Sequence, residues 1–161
     1  MCSTSAPARH RCKKGDVDSD VNQHIGISRG GRTTKIHGVC DALGNPIHTH
    51  LSAGNIHDSK EAETALVDVL LEGTTVLGDK AYGSKAIRDL ITLAGASYCI
   101  PPKSNDKHPW EYDRFLYKER HLVECLFQKL KQFRGVATRY NKLARRFLAC
   151  VQLACIMIWL A

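Results

Sequence analysis

The chain has 161 residues, enough for one domain with a real core, and 43% of them are apolar, as expected of a globular, soluble protein. Twenty-three Lys and Arg against sixteen Asp and Glu give a net charge of +7, and all of that excess lies between Pro102 and Arg146, where twelve basic residues stand against five acidic ones. A basic region so confined fits a surface that meets a polyanion and argues against a membrane surface, because the apolar positions beside it are needed for a core.

The seven Cys are odd in number and scattered through expected strands and helices, which points to free thiols in a reducing cytoplasm. Met1 to Pro7 lacks the apolar stretch of a signal peptide. The C-terminal run Phe147 to Ala161 is apolar but only fifteen residues long and contains Gln152, too short to span a bilayer. A core helix is expected there.

In chain order, residues 1–32 are rich in Ser, Gly, Asp, Arg and Lys without periodicity, so a disordered or loop-rich N-terminal segment is expected, followed by the folded domain over 33–161. Asp16, Asp18 and Asp20 alternate but lack the central Gly and closing Glu of a calcium loop, and read as a solvated acidic loop. Thr33 to Asp41 and Ile47 to Leu51 are β-prone runs separated by Leu43-Gly44-Asn45-Pro46, a hairpin. His48 and His50 share a strand face, with His37, Cys40 and His57 near in sequence. A zinc-binding interaction module is one reading of that set, but no Cys-x2-Cys spacing supports it, and His on a polar sheet face is the simpler account.

Asp58, with Glu61 three residues on, has the form of a capping box for a helix reaching about Leu71. Thr75 to Leu77 is a short buried strand, with Asp79 just beyond it and a helix from Ser84 to Leu93. The carboxyl end of an inner strand is where open α/β sheets bind ligands and metals, although Asp is also common in such turns for structural reasons. Ala96 to Ile100 is a second strand, stopped by Pro101-Pro102, and Lys103 to Pro109 is a basic loop.

Tyr117 to Arg134 contains no Pro or Gly and is rich in good helix formers. One helix is expected, with Leu122, Val123, Leu126, Phe127, Leu130 and Phe133 on its buried side. Tyr117, Arg120, Glu124 and Lys131 then fall within about 60° of one another along an edge of that stripe. A carboxylate flanked by cations and a phenol suits a metal ion and a phosphate; a solvated face with an Arg120–Glu124 pair is the plainer reading. Gly135 is expected to end the helix, and a last one to start at Arg139, where Arg139, Lys142, Arg145 and Arg146 would extend the positive surface.

Tyr117-x2-Arg120-x3-Glu124-x6-Lys131 resembles the Tyr-Arg-Glu-Lys signature of bacterial insertion-sequence transposases of the Asp-Asp-Glu (DDE) class. Ser28-Arg29-Gly30-Gly31, Thr34-Lys35-Ile36-His37, Asp41 to Pro46, Asp79-Lys80-Ala81-Tyr82, Ile100-Pro101-Pro102 and Tyr112-Asp113-Arg114 are similar to that family's blocks, in its order. The resemblance runs from about Ser28 to the C-terminus. It implies an α/β, RNase H-like catalytic domain that cuts and joins double-stranded DNA, the ends of an insertion element and its target, in the bacterial cytoplasm at the nucleoid. Asp79 would be the second acid and Glu124 the third, both ligands of two Mg²⁺ or Mn²⁺ ions. Two such ions, about 3.5–4 Å apart, offset the repulsion between carboxylates and stabilise an in-line displacement. Tyr117, Arg120 and Lys131 would contact DNA, with Arg32 and Lys35 as further candidates, and synapsis of two ends implies self-association.

One departure stands out. The family carries its first Asp on the opening strand, in an Asp-Ser-Thr-like sequence; here the nearest equivalent is Cys2-Ser3-Thr4. The domain is therefore expected to be N-terminally truncated, with that strand cut off or disordered, and the chain alone to be inactive or nearly so. The other reading is a non-catalytic DNA-binding remnant or regulator.

Overall fold

The computed structural model describes residues 2–7 and 23–161, so Asp16, Asp18 and Asp20 lie outside the described residues. Strands β1 (Cys2–Pro7), β2 (Gly26–Ser28), β3 (Gly31–Cys40) and β4 (Pro46–Ala53) form an antiparallel sheet in which β3 pairs with each of the others. Residues 2–7, expected to belong to a disordered or loop-rich segment, form β1, which runs in unbroken register from Cys2 opposite Gly38 to Pro7 opposite Thr33. Ser, Ala and Pro are poor strand formers, but tertiary contacts override propensity here. Ala6 is buried in the core, and the Pro7 carbonyl accepts from the Arg139 N–H at 3.0 Å.

The β3–β4 turn follows from its residues. The Asp41 carboxylate accepts from the Leu43 and Asn45 N–H groups at 2.9 and 2.8 Å, an Asx arrangement, and Gly44 supplies the left-handed φ of 85° that closes it. A register shift between Val39 and Cys40 precedes the turn.

After β4, Asp58–Lys60 forms a 3-10 turn that leads to α1 (Ala62–Val67), which is shorter than expected. The capping box does not form: His57 and Glu61 occupy the N-cap positions without side-chain bonds. Asp58 instead accepts from Lys35 Nζ at 2.7 Å and Ser3 Oγ at 2.8 Å, because a half-buried ammonium is a stronger partner than a backbone N–H. Burial raises the Asp58 pKa, but those bonds and the Lys35 charge carry it below its ordinary value.

β5 (Thr75–Leu77), α2 (Lys85–Leu93) and β6 (Ser97–Cys99) form a βαβ unit with a parallel strand pair. Then come α3 (Arg114–Lys118), α4 (His121–Gln132), α5 (Arg134–Ala137) and α6 (Ala144–Trp159). The single helix expected over Tyr117 to Arg134 is thus broken. At Glu119 and Arg120 the N–H groups bond three residues back, to Leu116 and Tyr117, a 3-10 tightening between α3 and α4. Phe133, extended at φ −78° and ψ 107°, ends α4, and Gly135 lies inside α5 instead of stopping the helix.

Arg139 precedes α6 and is 1% exposed, so it is not part of the positive surface. Its guanidinium donates to the carbonyls of Gln23, Asn141 and Lys142 and to Thr34 Oγ1, tying the segment before β2 to the start of α6. No helix among the described residues is long and apolar enough to cross a membrane. The apolar C-terminal run is α6, which buries Phe147, Val151 and Ala154 and leaves Leu153, Ile156 and Met157 exposed.

Two apolar clusters result. One joins β1, β3 and β4 to α4, α5 and α6 around Ile36, Leu126, Leu130 and Phe147. Within it the Phe127 ring lies so close to β3 that a Cβ at Gly38 would stand 3.2 Å from its Cζ. The other joins α1, β5, α2 and β6 around Leu66, Tyr82, Ile91 and Ile100. A cavity of about 390 Å³ lies where they meet, lined by Val39, Leu66, Val76, Leu122 and Val123 among others.

Candidate functional site

β5 is only three residues long, and the chain leaves it through Gly78 into Asp79. Asp79 is extended and half-buried, and it caps the 3-10 turn Lys80–Tyr82 by accepting the Lys80 N–H at 2.7 Å. The structural role expected of an Asp in such a turn is therefore real, but it occupies only Oδ1.

Within electrostatic reach of it is the 3-10 junction between α3 and α4. Arg120 Nη2 lies 2.7 Å from Glu124 Oε1, and the guanidinium sits over the Tyr117 ring at 5.6 Å. Tyr112 meets the same ring edge-on at 5.5 Å. Burial works against the Arg120 charge, but Tyr117, Glu124 and Asp79 together hold its pKa above the ordinary value. Tyr117 is pushed up chiefly by burial, with Asp79 and Tyr112 adding and Arg120 opposing. Asp79 and Glu124 thus both act on the Arg120 charge. Glu124 keeps half its side-chain surface exposed.

Lys131 lies seven residues beyond Glu124, on the same face about 10 Å further along α4, and is exposed. It belongs to the same surface and not to the carboxylate pair. Arg32 is half-buried on β3. Lys35, a candidate for strand contact, is engaged inside the fold: its ammonium donates to Asp58 at 2.7 Å and to the Ile56 carbonyl at 2.7 Å.

The donor set suits a hard divalent ion, which takes carboxylate oxygens. Asp79 and Glu124 are donors of that kind.

Sequence reasoning missed two arrangements. Lys35, Asp58 and Ser3 join β3, β1 and the turn after β4, and His37, His50 and Glu61 meet between the sheet and α1. Strand periodicity puts Lys35 and His37 on one face of β3; the register of β1 and β4 that brings them partners is a tertiary fact.

Comparison with known proteins is consistent along the chain. Residues 3–109 match a family model described as a transposase DDE domain, and residues 76–161 match a second model with the same description. A protein of Brucella ovis named "Putative transposase for insertion sequence element IS6501" is 37% identical over 131 residues, 80% of this chain and 98% of that protein. No solved structure matches the chain. With both parts of the chain matched by the same kind of domain, and a relative aligned over nearly its full length, the chain belongs to the DDE transposase family, DNA transposases with an RNase H-like α/β fold and divalent-metal dependence.

Proposed function

We propose that this chain carries the second and third acids of an insertion-sequence transposase, Asp79 and Glu124, and that Cys2 stands where the first acid belongs. The observation that supports the pairing is Arg120, a single guanidinium under the influence of both carboxylates. Asp79 and Glu124 would hold Mg²⁺ or Mn²⁺, and the ions, when bound, supply activation of the attacking oxygen and stabilisation of the leaving one. Before binding, Arg120 is the counter-ion of Glu124, at 2.7 Å. Tyr117, Arg120 and Lys131 lie along one edge of α3 and α4, a line suited to DNA phosphates at the insertion-element ends. The +7 net charge, all of it between Pro102 and Arg146, draws the duplex to that side.

On this reading the deficit is the first acid's side chain, and the pairing of β1 along its length supports it. A thiol is a poor ligand for a hard ion. The chain as it stands binds DNA and cleaves it weakly or not at all, and Cys2 is also what favours the second reading, a DNA-binding regulator of an intact transposase.

The test is a gain of function. Cys2→Asp is expected to show Mg²⁺-dependent cleavage of terminal-repeat DNA that the native chain lacks, and to lose it when Asp79→Asn or Glu124→Gln is added. Strong cleavage by the native chain, or cleavage by Cys2→Asp that survives Glu124→Gln, would show the assignment to be wrong. No cleavage by Cys2→Asp, with DNA binding retained, would favour the regulator.

A further inference from the structure

Between the sheet and α1 lies a polar layer that the DNA site does not use. His37 on β3 and His50 on β4 are directly opposed in the antiparallel register, which puts both rings on one face. The rings stack with centroids 4.6 Å apart and planes 10° from parallel. Glu61, leading into α1, brings Oε2 to 3.3 Å from His50 Nε2. Donor atoms of the three residues all lie within 4.8 Å of one another.

The group is enclosed and under-satisfied. His37 is 2% exposed, and the side chains of His50 and Glu61 are 12% and 18% exposed. His37 Nε2 is engaged with Ser52 Oγ at 2.7 Å. In the tautomer that donates Nε2–H to Ser52, the Nδ1 lone pair is left over, and that atom is buried without a hydrogen-bond partner. Both ring nitrogens of His50 are buried without one as well, because the 3.3 Å approach of Glu61 does not have hydrogen-bond geometry. Buried polar atoms in native proteins are overwhelmingly paired, and an ion is one of the few things that explains a cluster of exceptions.

The 3.3 Å approach of Glu61 leaves both His50 nitrogens without a hydrogen bond, so an ion pair between a protonated His50 and Glu61 does not satisfy the group. Burial lowers His50 to about 4, with the neighbouring His37, His48 and His24 adding to the shift. Burial likewise lowers His37 to about 4, against the pull of Asp58 and with help from Lys35. Both imidazoles are neutral near pH 7, the form that binds metals.

We propose that His37, His50 and Glu61 form a structural site for a borderline divalent metal ion, zinc, separate from the Asp79 and Glu124 pair. Zinc bonds of about 2.0–2.1 Å in tetrahedral geometry place neighbouring donors about 3.3 Å apart, which is the His50–Glu61 separation. The widest donor separation needs to close by at most about 1.5 Å to meet the same geometry. Two imidazoles and one carboxylate select zinc over magnesium, so the site does not compete with a pair of carboxylates for hard ions. Its ligands come from β3, β4 and the start of α1, and the ion pins that helix to the hairpin. His48 lies outside the group, its ring tilted 5.7 Å from His50 and its Nδ1 4.0 Å from Asp68 Oδ2, although its own Nε2 is buried without a hydrogen-bond partner.

The test uses the full chain, stripped with a chelator and titrated with Co²⁺, followed by displacement with Zn²⁺. One equivalent of Co²⁺ is expected to give a tetrahedral visible spectrum that zinc abolishes, and zinc is expected to raise the melting temperature by several degrees. His50→Gln and Glu61→Gln should each weaken zinc binding by about 100-fold or more. Glu124→Gln should leave zinc stoichiometry unchanged, which separates failure here from failure of the DNA-site assignment. Should His50→Gln not fold, the metal K-edge absorption spectrum of the zinc-loaded native chain still decides, with two imidazole nitrogens and one carboxylate expected. The proposal is overturned if the stripped chain binds neither Co²⁺ nor Zn²⁺ at micromolar concentration, if binding survives both Gln variants, or if Fe²⁺ is taken in preference to zinc.

Discussion

Arg139→Met separates a core role for this arginine from a DNA-binding one. The guanidinium donates from Nε to Asn141 O at 2.9 Å, from Nη1 to Gln23 O at 2.7 Å and Thr34 Oγ1 at 2.6 Å, and from Nη2 to Lys142 O at 2.9 Å. Methionine fills comparable space and donates nothing. Thr34 keeps a partner, because its hydroxyl donates to the His24 carbonyl at 2.6 Å, so three carbonyls are stranded. At about 1–3 kcal/mol for each unsatisfied acceptor, and taking the lower end because these carbonyls are only part-buried, the loss is about 3–5 kcal/mol. With a urea m-value of about 2 kcal/mol/M, the unfolding midpoint should fall by roughly 1.5–2.5 M. Arg139→Lys should lose a substantial fraction of the same amount, since one ammonium cannot span four acceptors. The assay is equilibrium urea unfolding followed by circular dichroism, with DNA affinity measured beside it at fixed salt. A variant within about 1 kcal/mol of the native chain that instead binds DNA more weakly would refute the reasoning.

Three further outcomes follow from the same contacts. Phe127→Ala should lower stability by about 3–5 kcal/mol, because its ring packs against the bare face of Gly38; a loss below about 1 kcal/mol in urea unfolding would contradict that packing. Lys35→Met and Asp58→Ala should each destabilise, and a double-mutant cycle should return a coupling of about 1–3 kcal/mol; additive effects would mean that the pair is not coupled. In chelator-treated protein, His37 and His50 titrate near 4 when folded and near 6.5 when unfolded, in a layer shared with Lys35, Asp58, Glu61, His48 and His24. As pH falls the unfolded state takes up those protons first, so stability present above pH 6.5 should decline by a few kcal/mol down to pH 4 and level off below it. A urea midpoint unchanged between pH 7.5 and pH 5 would contradict this.

Much of the fold was legible because its signals are local. The hairpin around Gly44, the strand before Asp79, the helix from Lys85 and the buried side of α4 all come from short-range chemistry. What stayed hidden was tertiary. β1 has the composition of a loop and forms because β3 offers it a full row of backbone partners and Arg139 holds its end. The interruption at Glu119 and Arg120 carries no Gly or Pro, so no local residue announces it. His37 and His50 face each other only because of the register shift at Val39 and Cys40, and a one-residue slip would turn the rings to opposite sides. Tyr117, Arg120 and Glu124, by contrast, lie close together in sequence, and their contacts, Arg120 over the Tyr117 ring and against Glu124, are short-range ones.

The cavity between the two apolar clusters carries a consequence for the spacing of Asp79 and Glu124. Asp79 is rooted in the block built on β5 and α2, and Glu124 in the block built on β3 and α4, so neither block alone dictates the gap between the acids. That gap is governed by how the blocks seat against each other across a partly empty seam. Filling the void with a larger side chain at Val76 would alter the spacing of two carboxylates that it never touches. The distance between these two acids therefore depends on the fit of the two blocks as much as on the residues themselves.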